Sequence, residues 1–385
     1  MKLIHFTKTA LLGLFGLTII SATTASAGDD AKVVVEEKEN SKYDDIWKHA
    51  TLYKGDENTF IQSLVFTGRL QADAAFFYPH EYDDFEELLW RRFRAGFKMK
   101  FLNHFTLHSE GEFNLNDTSE FYERLTDTYI AWKANDALTI KIGKISAPFT
   151  TDGHTSSKEL IRPERSNLSN NLWFTTEYHS GVSASGNVGN WEYITGVYSS
   201  QAGPEFGDFD GGMFGLLSIG YNFAEAWNLD KALFRLDYVY NEENANNSGT
   251  RNLSQVVAFN TQLEKWKWGL RADIAGGEGY GSQSDIFAIA IMPYYDFTDK
   301  IQGVMSYNFV TSDDPNGVRI DRYESSTTSN KFDVAHEFFA GINYYLYGHK
   351  LKWQNGVEYT TASNSGTNNH DYNGWGFTSA FRLSW

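Results

Sequence analysis

Residues 374–385 read GWGFTSAFRLSW, and their reading decides the fold. Trp375, Phe377, Phe381, Leu383 and Trp385 fall on one face. Gly374, Gly376, Thr378, Ala380, Arg382 and Ser384 fall on the other, and only Ser379 interrupts the apolar side. A period of two marks a strand whose faces meet different surroundings. An aromatic-rich strand of this kind looks like the terminal signal that barrel-assembly machinery reads in outer-membrane proteins.

The same alternation recurs upstream. Phe93, Ala95, Phe97, Met99 and Phe101 oppose Arg92, Arg94, Gly96, Lys98 and Lys100. Trp266, Trp268, Leu270, Ala272 and Ile274 oppose Lys267, Gly269, Arg271 and Asp273. Leu351, Trp353, Val357 and Tyr359 oppose Lys352, Gln354, Gly356, Glu358 and Thr360. Charge confined to one side implies that this side is wet and that the other needs lipid or a core. Sixteen such stretches are expected, at 60–78, 90–102, 104–113, 121–133, 138–146, 178–187, 190–200, 213–223, 232–241, 251–263, 266–275, 285–297, 300–311, 335–346, 351–362 and 374–385. Uncertain strand ends leave fourteen or eighteen open.

The connections alternate too. Turns are short at Asn103, Ala134–Ala137, Asn187–Asn190, Glu264–Lys265, Thr298–Asp299 and Tyr347–Lys350. They are long at Pro79–Leu89, Ile145–Glu177, Gln201–Gly212 and Thr311–Val334. Transmembrane barrels have an even strand number, short periplasmic turns and long external loops. The expected fold is therefore all-β, a transmembrane antiparallel β-barrel over 59–385. A sixteen-stranded wall is too wide for side chains to fill, so an aqueous channel for passive diffusion follows.

Composition agrees. Aromatics make up 16% of the chain, with 11 Trp, 22 Tyr and 29 Phe, yet mean hydropathy is −0.44. Lipid-facing and lumen-facing residues alternate in a barrel, which keeps mean hydropathy low. There is no cysteine, hence no disulfide framework. At the start, Lys2 and Lys8 precede an apolar run from Leu11 to Ile20 and the triplet Ala25-Ser26-Ala27. This reads as a signal peptide, 1–27, because the run is far short of the ~20 residues a spanning helix needs. Residues 28–58 read as a polar periplasmic segment, helical around Asp44 to Ala50. Without Lys2 and Lys8 the chain has 31 basic and 49 acidic residues, a net charge of −18, so nucleic acid is not an expected partner.

The longest connection in the first half, 147–177, reads APFTTDGHTSSKELIRPERSNLSNNLWFTTE. Leu160, Ile161, Leu168, Leu172 and Trp173 give it a buried character, which points to a constriction folded into the barrel. Basic residues collect on the inward faces: Arg69, then Arg92, Arg94, Lys98 and Lys100, then Lys141, with Lys158, Arg162 and Arg165 from the loop. Such a lining favours anions, and arginine adds bidentate geometry for phosphate oxygens. Glu110, Glu112, Asp152, Glu159 and Glu164 offer partners to the same groups, so an anion-guiding ladder and a neutral salt-bridge network both stay open. Glu81 to Glu87 hold five acids and no base, which divalent cations could bridge to lipopolysaccharide.

Three stretches carry a resemblance. They are LWRRFRAGFKMKFLNHFTLHSEGEFN at 89–114, LTDTYIAWKANDALTIKIGKISAPFT at 125–150 and TSSKELIRPERS at 155–166. With Arg91-Arg92, Gly143 to Phe149, Ser156-Ser157-Lys158 and Glu164-Arg165-Ser166, they resemble the phosphate-selective porins O and P. The segment GINYYLYGHKLKWQNGVEY at 341–359 is similar to that family's penultimate hairpin. The resemblance implies a homotrimeric outer-membrane porin with a third-loop constriction and a basic lumen that conducts phosphate or polyphosphate. Ile145, where the family often has an aromatic, departs from the pattern, as do the acids of the loop. A general or cation-leaning porin on the same scaffold is the alternative.

Other signals are weaker. His179-Ser180 is an adjacent pair of hydrolase type, but adjacent strand residues point to opposite faces, so no enzyme is expected. Gly277–Gly281 and Asp313 to Gly317 read as loops and turns. The histidines are scattered, so neither a metal site nor a cofactor is expected.

Overall fold

The structure is a computed structural model that describes residues 42–116, 120–172, 178–366 and 370–385. The proposed signal peptide, the first part of the 28–58 segment, and Trp173 lie outside the described residues. The chain divides into two units, Met1–Ile46 and Trp47–Trp385. Helix α1, Lys42–Trp47, runs from the first into the start of the second.

The second unit is a closed antiparallel barrel. A short strand β1 (Thr51–Lys54) precedes the sixteen wall strands. These are β2 (Ile61–Pro79), β3 (Phe85–Phe101), β4 (Phe105–Phe113), β5 (Tyr122–Asn135), β6 (Leu138–Ser146), β7 (Tyr178–Val188), β8 (Trp191–Ser199), β9 (Met213–Asn222), β10 (Lys231–Asn241), β11 (Leu253–Lys265), β12 (Trp268–Gly279), β13 (Ile286–Thr298), β14 (Ile301–Ser312), β15 (Val334–Tyr347), β16 (Leu351–Ser363) and β17 (Tyr372–Ser384). Each pairs with the next, and β17 closes the wall on β2 from Gly374↔Pro79 to Ser384↔Arg69. Closure leaves no unpaired edge, the condition for a sheet to lie in lipid. Below Arg69, β1 takes over the same edge of β2, pairing Thr51↔Val65 and Lys54↔Ser63.

Alternation along β17 shows which side is which. Trp375 and Phe377 are 61% and 38% exposed, whereas Ala380 and Arg382 are 0% and 3% exposed. Apolar residues out and polar residues in is the reverse of a soluble protein, and so broad an exposed apolar band marks a lipid-facing wall. Trp353, Phe97, Ile142 and Trp268 extend the band around the barrel.

Two expectations need correction. The first connection is shorter than Pro79–Leu89, because β2 continues to Pro79 and β3 begins at Phe85, so only 80–84 remain as loop. The inward face is also not wet throughout. Val256, Ala258, Ala275, Ala288 and Val310 point inward from β11–β14 and form an apolar cluster with residues of two loops, described next. Small side chains there leave the space those loops occupy.

Candidate channel constriction

Loop three, 147–177, crosses the lumen in its described part, 147–172. It begins with α2 (Thr150–His154), and α3 (Asn167–Leu172) lies near its far end. The backbone N–H of Thr150 donates to Asp237 Oδ2 on β10 at 2.9 Å, and that of Thr151 to Asp273 Oδ1 on β12 at 2.9 Å. The middle of the loop reaches the opposite wall. Gln71 Nε2 on β2 donates to the Ser157 carbonyl at 3.0 Å, Gln354 Nε2 on β16 to the Leu160 carbonyl at 3.2 Å, and Arg382 Nη2 on β17 to the Pro163 carbonyl at 3.1 Å. Strand β10 is half-way round the barrel from β2 and β17. Leu160, Ile161, Leu168 and Leu172 are all buried, the last two in the apolar cluster against β11–β14. Polar anchors fix both ends of the span, and burial of Leu168 and Leu172 holds α3 to the wall.

The basic residues singled out from the sequence take three kinds of place. Arg69, Arg94 and Arg162 are buried and ion-paired, with Glu110 at 2.9 Å, Glu112 at 3.0 Å and Glu337 at 2.6 Å respectively. Arg92 donates to Gln71 Oε1 at 3.0 Å, Arg165 to the backbone carbonyls of Asp152 and Thr155 at 3.1 and 3.2 Å, and Lys158 to Thr67 Oγ1 and the Trp385 carbonyl at 3.3 and 3.1 Å. Lys158 and Arg165 brace loop three directly, and Arg92 holds the Gln71 amide that donates to it. Lys98 and Lys100 are exposed, and Lys141 is half-buried with its Nζ 5.0 Å from the centre of the Tyr129 ring. Burial pushes the Lys158 ammonium down to about 8, and neighbouring Arg69 adds to the shift. Burial works against the charge of Glu164 too, yet Arg91 holds its carboxyl well below the usual range.

A second loop folds inward, which its polar sequence did not announce. Loop seven, 313–333, carries α5 (Glu324–Thr327) and buries Val318, Ile320, Tyr323 and Phe332. The Tyr323 hydroxyl donates to Asp73 Oδ2 on β2 at 2.5 Å, and Asp73 in turn pairs with Arg382. Asn171 of α3 both accepts from the Arg319 N–H at 2.8 Å and donates to the Arg319 carbonyl at 2.9 Å, so loops three and seven form one body.

Sequence reasoning also missed three basic groups at the end of the barrel with the long connections. Arg251 of loop five (242–252) donates to the Asn170 carbonyl at 3.1 and 2.7 Å. Arg319 of loop seven lies close enough to act on Arg251, and both act on Lys331 of loop seven. Burial and the Arg319 charge lower Arg251 to about 9, so it stays protonated at neutral pH. No alternating pattern flags these residues, since all three sit in loops.

Breaking the bracing has a calculable cost. Arg162 serves both Glu337 and, at 3.6 Å, Glu358. Arg162→Met should destabilise the folded barrel by about 3–5 kcal/mol, because two buried carboxylates lose their cation. Thermal unfolding in detergent, followed by loss of the β circular-dichroism signal, checks this. An unchanged midpoint would mean that the two carboxyls are hydrated or protonated without Arg162.

The model of the family described as phosphate-selective porin O and P matches residues 65–280. Among solved structures, the outer membrane channel DcaP of Acinetobacter baumannii is similar at 13% identity and TM-score 0.56, over 86% of this chain and 99% of that one. OprB of Pseudomonas putida is similar at 11% identity and TM-score 0.59, over 83% and 94%. OmpT of Vibrio cholerae in its trimer form is similar at 14% identity and TM-score 0.52, over 84% and 99%. Likeness at this level is likeness of fold. No curated protein matches the chain.

Proposed function

The chain belongs to the phosphate-selective porin O and P family, an outer-membrane porin by membership, and we propose that its channel passes small anions in preference to cations, with inorganic phosphate the leading solute. One observation supports this above others. Arg251, Arg319 and Lys331 cluster at the mouth: Arg319 acts on Arg251, and Arg319 and Arg251 act on Lys331. An uncompensated positive field at a low-dielectric entrance concentrates anions. Deeper in, Arg69, Arg94 and Arg162 are matched by carboxylates, so selectivity rests on the mouth and on Lys98, Lys100 and Lys141, while Arg92, Lys158 and Arg165 hold loop three in place.

The remaining assignments go with this reading. The signal peptide is cut after Ala27, barrel-assembly machinery inserts the chain, and the acids of 81–87 meet lipopolysaccharide through divalent cations. The barrel works as a homotrimer, as OmpT of Vibrio cholerae is described in its trimer form.

The triple variant R251Q/R319Q/K331Q tests the role of the mouth. Its chloride-to-potassium permeability ratio in planar bilayers should drop several-fold, and block of chloride current by phosphate should weaken. A ratio equal to wild type would mean that the trio plays no part in selection.

A further inference from the structure

Around α5 the lumen holds more buried acid than base. Glu324 lies against Glu358 and Thr360 of β16, with Glu337 of β15 and Asp321 of its own loop close by. Arg162 of loop three is the cation paired to this group, through Glu337 and Glu358. The other charged groups near α5 are engaged elsewhere. Arg91 of β3 pairs with Glu164 of loop three, Arg382 of β17 pairs with Asp73 of β2, and Arg322 stacks 6.0 Å from the Tyr323 ring. Tyr323 and, from β17, Tyr372 are the remaining titratable groups facing α5.

Two features mark Glu324 out. Its carboxyl and that of Glu358 line one small cavity, and two carboxyls held so close out of water favour a proton on one of them over charge on both. Thr360 donates to one of its oxygens, and the other, in a residue only 1% exposed, receives no donor from the described residues, as a shared proton would require. Two ionised carboxylates cannot share a dry site, and desolvation makes the conflict worse. Among the described residues no group of three or more acids and histidines is arranged to hold a metal ion, so a proton resolves the charge.

We propose that loop seven is latched into the lumen by a proton shared between Glu324 and Glu358, and that loss of this proton as pH rises frees α5 from the wall and widens the channel. The sign follows from the chemistry. Burial, the largest influence, raises Glu324, and nearby Glu337 raises it further. Asp321, which accepts from Asn170 of loop three, is likewise raised by burial and by Glu337. A carboxyl so raised keeps its proton into a higher pH range, and the latch is present below its titration and lost above it. Once both carboxyls are charged, repulsion acts on α5, which Tyr323 also ties to Asp73 of β2, while Val318, Ile320 and Phe332 keep the rest of the loop packed.

The latch requires only that the barrel conducts, so its test is independent of ion preference. Single-channel conductance of the wild-type protein is recorded in planar bilayers from about pH 4 to about pH 9, with the permeability ratio read at each step. Conductance should rise to a larger open level as pH increases. E324Q and E358Q each supply a permanent amide donor to the remaining carboxyl, and each should stay at the small level throughout. Lys158 titrates in the upper part of the same window, but its contribution survives in both variants. A pH-independent conductance in the wild type overturns the latch, and so does a step to the larger level that persists in E324Q and E358Q. Heat-modifiable migration confirms that each variant has folded, and the wild-type titration decides the matter if neither does.

Discussion

A chain from which residues 372–385 are removed is expected to reach no membrane-inserted state at all. β17 is the only strand joining β16 to β2, with twelve residue pairs on one side and eleven on the other. Without it, two edges would present unpaired backbone N–H and C=O groups to hydrocarbon, each at a cost of several kcal/mol. A single substitution grades the effect. Phe377 faces lipid and stacks on Phe76 across the closing seam, ring centres 6.3 Å apart. Phe377→Arg places a charge on the lipid face and should cost about 2–4 kcal/mol if it lies near the midplane. Phe377→Leu should assemble nearly as wild type. The check is the fraction of protein that migrates as a compact species before heating. Normal assembly of the truncated chain would contradict the barrel.

Removal of residues 152–172 should raise single-channel conductance several-fold. These residues contribute most of α2 and all of α3, and they cross from β10 to the β2 and β17 wall. Their loss also takes away Asn170 and Asn171, which hold Asp321 and Arg319 of loop seven, so the second obstruction loosens with the first. Asp237 and Lys352 would lose His154 and the Leu160 carbonyl as partners, but water can reach them in a widened lumen. An unchanged conductance in an assembled barrel would place the loop outside the ion path.

The strands were legible because lipid imposes a period of two and tolerates few exceptions. The span 351–362 read from alternation differs from β16 by one residue, and 138–146 coincides with β6. The start of β3 was not legible, because Phe85-Glu86-Glu87-Leu88-Leu89 extends beyond the lipid-facing band and its acids hide the alternation. Within the lumen, residue type alone could not say which cations are free. Arg94 and Glu112 are direct cross-strand partners, which follows from register rather than from either residue. The burial of loop seven was harder still. Only Val318, Ile320, Tyr323 and Phe332 stand out among its polar neighbours, and their wall partners are distant in sequence. Ala258, Ala275 and Ala288 carried a usable signal, since small apolar residues on the supposedly wet face mark where α3 docks.

Protonation of the loops matters to how any measurement is read. Below about pH 8, Lys158 is charged and ties loop three to Thr67 and Trp385; above it, that tie weakens. A single neutral pH therefore gives the clearest view of selectivity. The most direct measurement is the zero-current potential of the wild-type channel across a KCl gradient at pH 7, repeated with phosphate added. Chloride should carry more of the current than potassium, and phosphate should reduce the chloride current. A potential of the opposite sign, with potassium the more permeant ion, would contradict the account and leave a cation-leaning porin on the same scaffold.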